Sequence, residues 1–271
     1  MYTKFIQDDI STWGATNQEV KSTLIADELT NSIISTRAIT INASSSEVWK
    51  VLTQLGADRS GFYAYTFLEE LLGYHTQKQT SNEEFFLDTN RVIPTSVQNN
   101  QYSFPVVMAK KDEYVVLKGW GAFVLNNIND SQTRLIIRTH EFTTNTQYNE
   151  LFNQLFEPLH YMMEKRMMLG IQAKAQKNSN IKNYFLYDMI WFFGIIFTAI
   201  GMLFLVFLRK SIMLILILII CSNLWVYGLL IFNPLSYASL YICLFVYLNL
   251  IIFSVFSVNS QKQEYFERSR S

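Results

Sequence analysis

Residues 102–142 read YSFPVVMAKKDEYVVLKGWGAFVLNNINDSQTRLIIRTHEF, and this stretch decides the fold of the N-terminal two thirds. Four short runs rich in Val, Ile, Phe and Tyr, Tyr102 to Lys110, Tyr114 to Gly119, Gly121 to Ile128 and Thr133 to Phe142, are broken by Lys111-Asp112, Gly119 and Asn129-Asp130-Ser131. Branched and aromatic residues fit a pleated, half-buried surface, and the breaks supply turn chemistry, so the stretch predicts an antiparallel meander.

Upstream, Thr36-Arg-Ala-Ile-Thr-Ile-Asn42 alternates polar and apolar residues and predicts a further half-buried strand. Two capping boxes precede helices. Thr16-Asn-Gln-Glu19 opens one over about 17–25, and Ser44-Ser-Ser-Glu47 opens another whose Val48, Trp49, Leu52 and Leu55 share a face and which Gly56 ends. A helical stretch from Phe62 to Leu72 precedes Gly73 and a loop-rich region from Tyr74 to about Gln101. Downstream, Leu151, Leu155, Leu159, Met162, Met163 and Ile171 recur at three and four, which predicts a long helix. Pro158 removes one interior hydrogen bond and reads as a kink or a fresh helix start.

The chain has 271 residues, with 22 Lys+Arg and 22 Asp+Glu. Residues 1–180 carry 16 of the basic and 19 of the acidic side chains, whereas 189–258 carry only Arg209 and Lys210. Disorder, collagen and a disulfide scaffold are excluded by this composition. Met189 to Leu208 is apolar at 17 of 20 positions, Ser211 to Phe232 at 18 of 22 and Leu235 to Val258 at 19 of 24. Each run has the length and apolarity to cross a bilayer as a helix. Arg209-Lys210 would cost about 2.5 to 3.5 kcal/mol per residue at mid-bilayer, so it marks one reversal of the chain, and Asn233-Pro234 marks the other.

Three transmembrane helices are therefore expected, at about 184–208, 211–232 and 235–258. Tyr184, Tyr187, Trp191, Tyr237 and Tyr241 suit the headgroup belt. Asn223 and Asn249 are amides within spans, and Cys221 and Cys243 act there as small hydrophobes. The first ten residues contain no apolar stretch of signal-peptide type, and basic residues near the spans are balanced between the two sides. The expectation is a multi-pass protein of the cell membrane, its N-terminal domain cytoplasmic and its polar tail 259–271 outside.

The quoted residues also carry a resemblance. Trp13-Gly-Ala-Thr16, Thr36 to Ala43, Glu47-Val-Trp49, Gln54-Leu-Gly56, Asp58-Arg59, Gly61-Phe-Tyr63 and Leu68 to Gly73, with the later Glu157-Pro-Leu-His160 and Glu164-Lys-Arg-Met167 through Gly170-Ile171, resemble START-like proteins of the SRPBCC (polyketide cyclase and lipid-transfer) superfamily. The resemblance covers about residues 13–177. It implies an α+β helix-grip fold, a curved antiparallel sheet around a long C-terminal helix with an apolar cavity between them. It implies no particular reaction. The domain organisation then reads as an N-terminal helical extension over 1–35, the START-like domain over 36–177, a linker over 178–183, the three-helix all-α transmembrane region over 184–258 and the tail.

Tyr63, Tyr65 and Trp120 are polar-tipped aromatics suited to lining such a cavity or to filling core. Alternation places Arg138 and His140 on one strand face and Glu141 on the other, where the first two face either a ligand's polar head or solvent. His160 and Glu164 share a helical face, as a base and its orienting acid or as a paired His at the groove edge. Three His and two Cys supply too few ligands for a metal site, and no cofactor or catalytic residue is assigned. Walker, dinucleotide and Gly-x-Ser-x-Gly motifs are missing, and the balanced charge gives no support for nucleic-acid binding. The reading is a membrane-anchored domain that binds a hydrophobic small molecule or lipid. The alternatives are a tethered enzyme of polyketide cyclase/dehydratase or hydrolase type using the same cavity, and a non-catalytic ligand sensor or assembly module.

Overall fold

The computed structural model describes residues 7–29, 32–71, 76, 84–97, 103–140 and 150–177, together with 189, 192–194, 196–201, 203, 216, 219–220, 244, 247–248 and 251. The chain divides into two compact units, residues 1–181 and 182–271.

In the first unit, α1 (Gln7–Ser11) and α2 (Asn17–Lys21) precede strand β1 (Ile33–Ile41) and helix α3 (Ser45–Leu52). Helix α4 (Thr66–Leu71) and strands β2 (Val92–Pro94), β3 (Ser103–Lys110), β4 (Tyr114–Leu117), β5 (Gly121–Asn129) and β6 (Gln132–His140) follow, and α5 (Glu150–Ala175) closes the unit. The six strands form one sheet in the order β1-β6-β5-β4-β3-β2. Every neighbouring pair is antiparallel. The meander expected from the sequence is β3 to β6, and β1 returns to pair with β6, Thr36 standing opposite Arg138.

Local chemistry sets the element ends. Thr16 accepts from the Glu19 amide while the Glu19 carboxylate accepts from the Thr16 amide, so α2 starts on a complete capping box. It ends at Lys21, four residues before the expected stop, because Ser22 is extended. Ser44 caps α3 through the Glu47 amide, and that helix stops at Leu52, ahead of Gly56. Gly56 and Gly61, both at positive φ, then bridge to each other. Helix α4 is confined to 66–71. Residues 62–65 are non-helical, and Tyr63 is left-handed at φ 57°. The sequence pattern gave no sign of α1 or β2. Pro158 lies inside α5, and the side chains expected at Leu151 and Leu155 lie outside the described set.

The two sheet faces are buried differently. One face contributes Ile41, Val115, Leu117, Phe123, Leu125, Leu135 and Ile137 to a core shared with Val48, Trp49 and Leu52 of α3 and with Met167, Met168 and Ile171 of α5. Burying an aliphatic side chain of this size contributes about 1.5 to 3 kcal/mol. On the other face, Val116 and Ala122 pack with Ala26 beneath the N-terminal segment. Strand alternation separates the sets, since Phe123 and Leu125 point one way and Ala122 and Val124 the other.

In the second unit the described residues are helical. Thr198 Oγ1 donates to Gly194 O at 2.6 Å, and Tyr247 OH donates to Phe197 O at 3.0 Å. Among the described residues no helix is long and apolar enough to cross a membrane. This overturns the expected transmembrane region at 184–208, 211–232 and 235–258, and with it the multi-pass membrane location with a cytoplasmic domain and an external tail. The apolar runs satisfy only half of what a span requires. Crossing needs an unbroken helix of about 20 residues as well as apolar side chains. The reversals at Arg209-Lys210 and Asn233-Pro234, the aromatics Tyr184, Tyr187, Trp191, Tyr237 and Tyr241, the residues Asn223, Asn249, Cys221 and Cys243, the linker 178–183 and the tail 259–271 lie outside the described residues.

Candidate functional site

Strand β1 alternates so that Arg37, Ile39 and Ile41 point at α5, which puts a guanidinium on an otherwise apolar face. It is met by Glu164. Arg37 Nη1 donates to Glu164 Oε1 at 2.8 Å, and neither side chain is exposed. The other carboxylate oxygen, Oε2, accepts from Trp120 Nε1 at 3.1 Å and Thr139 Oγ1 at 3.0 Å. His160, one turn earlier on α5, places its Nε2 3.6 Å from the same oxygen. Glu164 thus joins the helix to β1, to β6 and to the β4–β5 corner.

Charge on this cluster follows from competing effects. Burial would raise the Glu164 carboxyl, but the charge of Arg37 and the hydrogen bonds from Arg37 and Trp120, helped by His160 where it is protonated, outweigh it and hold the group below the ordinary carboxylate range. Burial lowers His160, Arg37 adds to that effect and Glu164 opposes it, so the imidazole is neutral at pH 7. The cluster is a buried carboxylate with a guanidinium counter-ion, beside an imidazole whose side chain is 16% exposed.

Around it lies an aromatic group. The Trp120 ring is 5.0 Å from Phe104, 5.9 Å from Phe62, 5.5 Å from Phe123 and 6.1 Å from His160, centroid to centroid. Phe62 and Phe104 meet edge to face at 6.2 Å. Phe62, Phe104 and Trp120 are only partly buried, unlike Phe123. They pack against the edge of the core to which Met167, Met168 and Ile171 belong. A polar cavity of about 700 Å³ lies at the other end of the strands, where Ser44 and Ser46 at the start of α3 approach the hairpin tips at Asp112 and Asp130.

The six residues singled out from the sequence do not form one site. Trp120 and His160 do come together. Tyr63 lies toward the opposite end of α5, its hydroxyl donating to Val51 O at 3.2 Å and its backbone carbonyl oxygen 2.5 Å from where a Cβ on Gly170 would stand. Tyr65 is buried, edge-on to Phe67 at 6.3 Å. Arg138 and His140 occupy the other sheet face, under the N-terminal segment. Arg138 donates to Thr36 Oγ1, to Asp27 Oδ2 and to the carbonyls of Glu19, Val20 and Ser22. His140 Nε2 is 3.2 Å from Asp27 Oδ1. Glu141 lies outside the described residues.

Sequence reasoning missed Arg37, Thr139, Phe62 and Phe104. Arg37 was findable, because a charged residue in phase with Ile39 and Ile41 is buried with a partner or disrupts its strand. Among the described residues no group of three His, Cys, Asp or Glu is placed to hold a metal ion. No protein-family model matches the chain, and no curated protein is similar to it.

Proposed function

We propose that the N-terminal unit binds a small hydrophobic molecule against Phe62, Phe104 and Trp120, with His160 taking a polar group of that molecule. The observation that carries this reading is the incomplete burial of three mutually packed aromatics beside the His160 ring. The Trp120 indole N–H is already committed to Glu164, which fixes the ring and leaves its surface for stacking. A neutral His160 both donates and accepts, so it suits a hydroxyl, carbonyl or amide better than a formal charge. The antiparallel sheet closed by a 26-residue terminal helix supports, as part of the same proposal, the START-like resemblance.

The test is titration of the full chain with a naphthalene-based fluorescent probe. Saturable binding at one site, weakened about tenfold or more in Trp120→Ala, which corresponds to about 1.4 kcal/mol, is expected. Binding unchanged in both Trp120→Ala and Phe62→Ala overturns the reading.

One observation favours a second reading, a catalytic one. His160 has a carboxylate 3.6 Å from Nε2 and a depressed basicity, as a general base near neutral pH would. Retained probe binding with loss of a measured turnover in His160→Gln would separate catalysis from binding. Against it stands the commitment of Glu164 to Arg37, Trp120 and Thr139.

A further inference from the structure

The two carboxylate oxygens of Glu164 face different partners. Arg37 is held through Oε1, at 2.8 Å. Oε2 is the oxygen that Trp120 Nε1 reaches at 3.1 Å and Thr139 Oγ1 at 3.0 Å, and that stands 3.6 Å from His160 Nε2. The buried ion pair is therefore a dipole whose negative end is turned toward the aromatic group around Trp120.

Its positive end is turned to the N-terminal segment. There Arg37 Nε donates to Ile10 O at 2.8 Å, and the guanidinium lies 5.2 Å from the centroid of the Tyr161 ring. Lys165, which follows Glu164 in α5, gathers at the same ring, its Nζ 5.5 Å from the Tyr161 centroid and 5.1 Å from that of Trp13. Acid and base are thus separated within the cluster, the cations at Tyr161 and the carboxylate beside Trp120.

Buried charges are screened less than exposed ones, so this orientation acts on any group seated beside the Trp120 ring. A charged ligand group of either sign gives up hydration to sit there. An anionic one is repelled by the carboxylate as well, which is how a site discriminates against a ligand of similar shape. Hydroxyl and ammonium groups donate hydrogen bonds, whereas an ionised carboxylate only accepts them.

We propose, on the reading that Phe62, Phe104 and Trp120 bind a hydrophobic molecule, that Glu164 determines which molecules that surface takes, admitting apolar alcohols and amines and rejecting apolar carboxylic acids of the same body. Glu164 acts through the field of its carboxylate, without contact to the ligand.

Three probes with one ring system test this by calorimetric titration of the full chain near pH 7. They are 2-naphthylmethanol, 2-naphthylmethylamine, which is protonated there, and 2-naphthoic acid, which is ionised. The two ions both carry a charge on the same ring system, so the ratio of their affinities reads the sign of the field. The alcohol and the amine are each expected to bind about tenfold or more tighter than the acid. Glu164→Gln keeps an acceptor for Trp120 and Thr139 but leaves the Arg37 charge uncompensated, and there the order of the two ions is expected to reverse. In the parent chain, the acid binding as tightly as the amine or more tightly overturns the proposal without any variant. So does an unchanged ratio of the two ions in a Glu164→Gln chain whose circular dichroism matches the parent. Binding of none of the three overturns the binding surface itself, whereas binding of the alcohol with the ions in the opposite order overturns the charge selectivity alone.

Discussion

Arg37 Nη1 and Glu164 Oε1 are 2.8 Å apart with both side chains wholly buried, and this contact ties the first strand to the last helix across 127 residues of chain. Arg37 Nε also donates to Ile10 O at 2.8 Å, while its Nη2 is buried without a hydrogen-bond partner. Two charges taken from water recover their desolvation only through good geometry, and removing one leaves the other stranded.

Arg37→Met or Glu164→Leu alone should therefore cost about 3 to 5 kcal/mol in urea unfolding, whereas the double variant should cost clearly less than the sum. Additive losses would show that the pair does not interact energetically.

Glu69 gives a stability profile of opposite sign to that of a paired acid. It is 6% exposed, and burial, with the nearby Glu70 charge, pushes its carboxyl up to about 7 from an ordinary 4.5. A raised folded value means that the folded state holds the proton more tightly. Stability from this group is then complete below about 4.5 and is lost as the pH rises toward 7. Glu69→Gln should be more stable than the parent at pH 8, by on the order of 2 kcal/mol, with the gain vanishing at pH 4. Denaturant midpoints at the two pH values check this, and an equal gain at both would exclude titration as its source.

The sheet was largely legible because strand alternation and turn residues are local signals. Asn129-Asp130-Ser131 makes the β5–β6 hairpin, and Thr16 with Glu19 starts α2 as its capping box requires. The site was half legible. Trp120 and His160 could be picked by chemical type, but their proximity depends on register between a sheet corner and a helix forty residues later. Arg138 and His140 shared a face as alternation demands, yet which face held the N-terminal segment is a tertiary fact. The apolar runs after residue 188 illustrate the converse error, because composition reports what a segment could bury and leaves its helix length open.

Gly170 marks a place where backbone meets backbone. A Cβ added there would fall 2.5 Å from the carbonyl oxygen and 2.7 Å from the Cβ of Tyr63, whose left-handed φ of 57° already constrains the loop. Neither atom is the end of a flexible side chain. Gly170→Ala, despite its better helix propensity, should destabilise by about 1 to 3 kcal/mol. A raised melting temperature would mean that the loop yields.

Arg138 holds the N-terminal segment on the outer face of the sheet. Its donors reach the carbonyls of Glu19, Val20 and Ser22, at the end of α2 where unpaired carbonyls concentrate, and the Asp27 carboxylate at 2.5 Å. Nearby, Arg134 Nε pairs with Glu19 Oε1 at 2.8 Å. In Arg138→Met those carbonyls and Asp27 lose the guanidinium together, while the apolar stem still stands opposite Ala122. The expected outcome is local. Amides of 17–29 should lose about tenfold or more of their hydrogen-exchange protection, with β4 and β5 little changed, because the opposite face of those strands still packs on α5. Uniform loss of protection across the sheet would instead make Arg138 part of the global core.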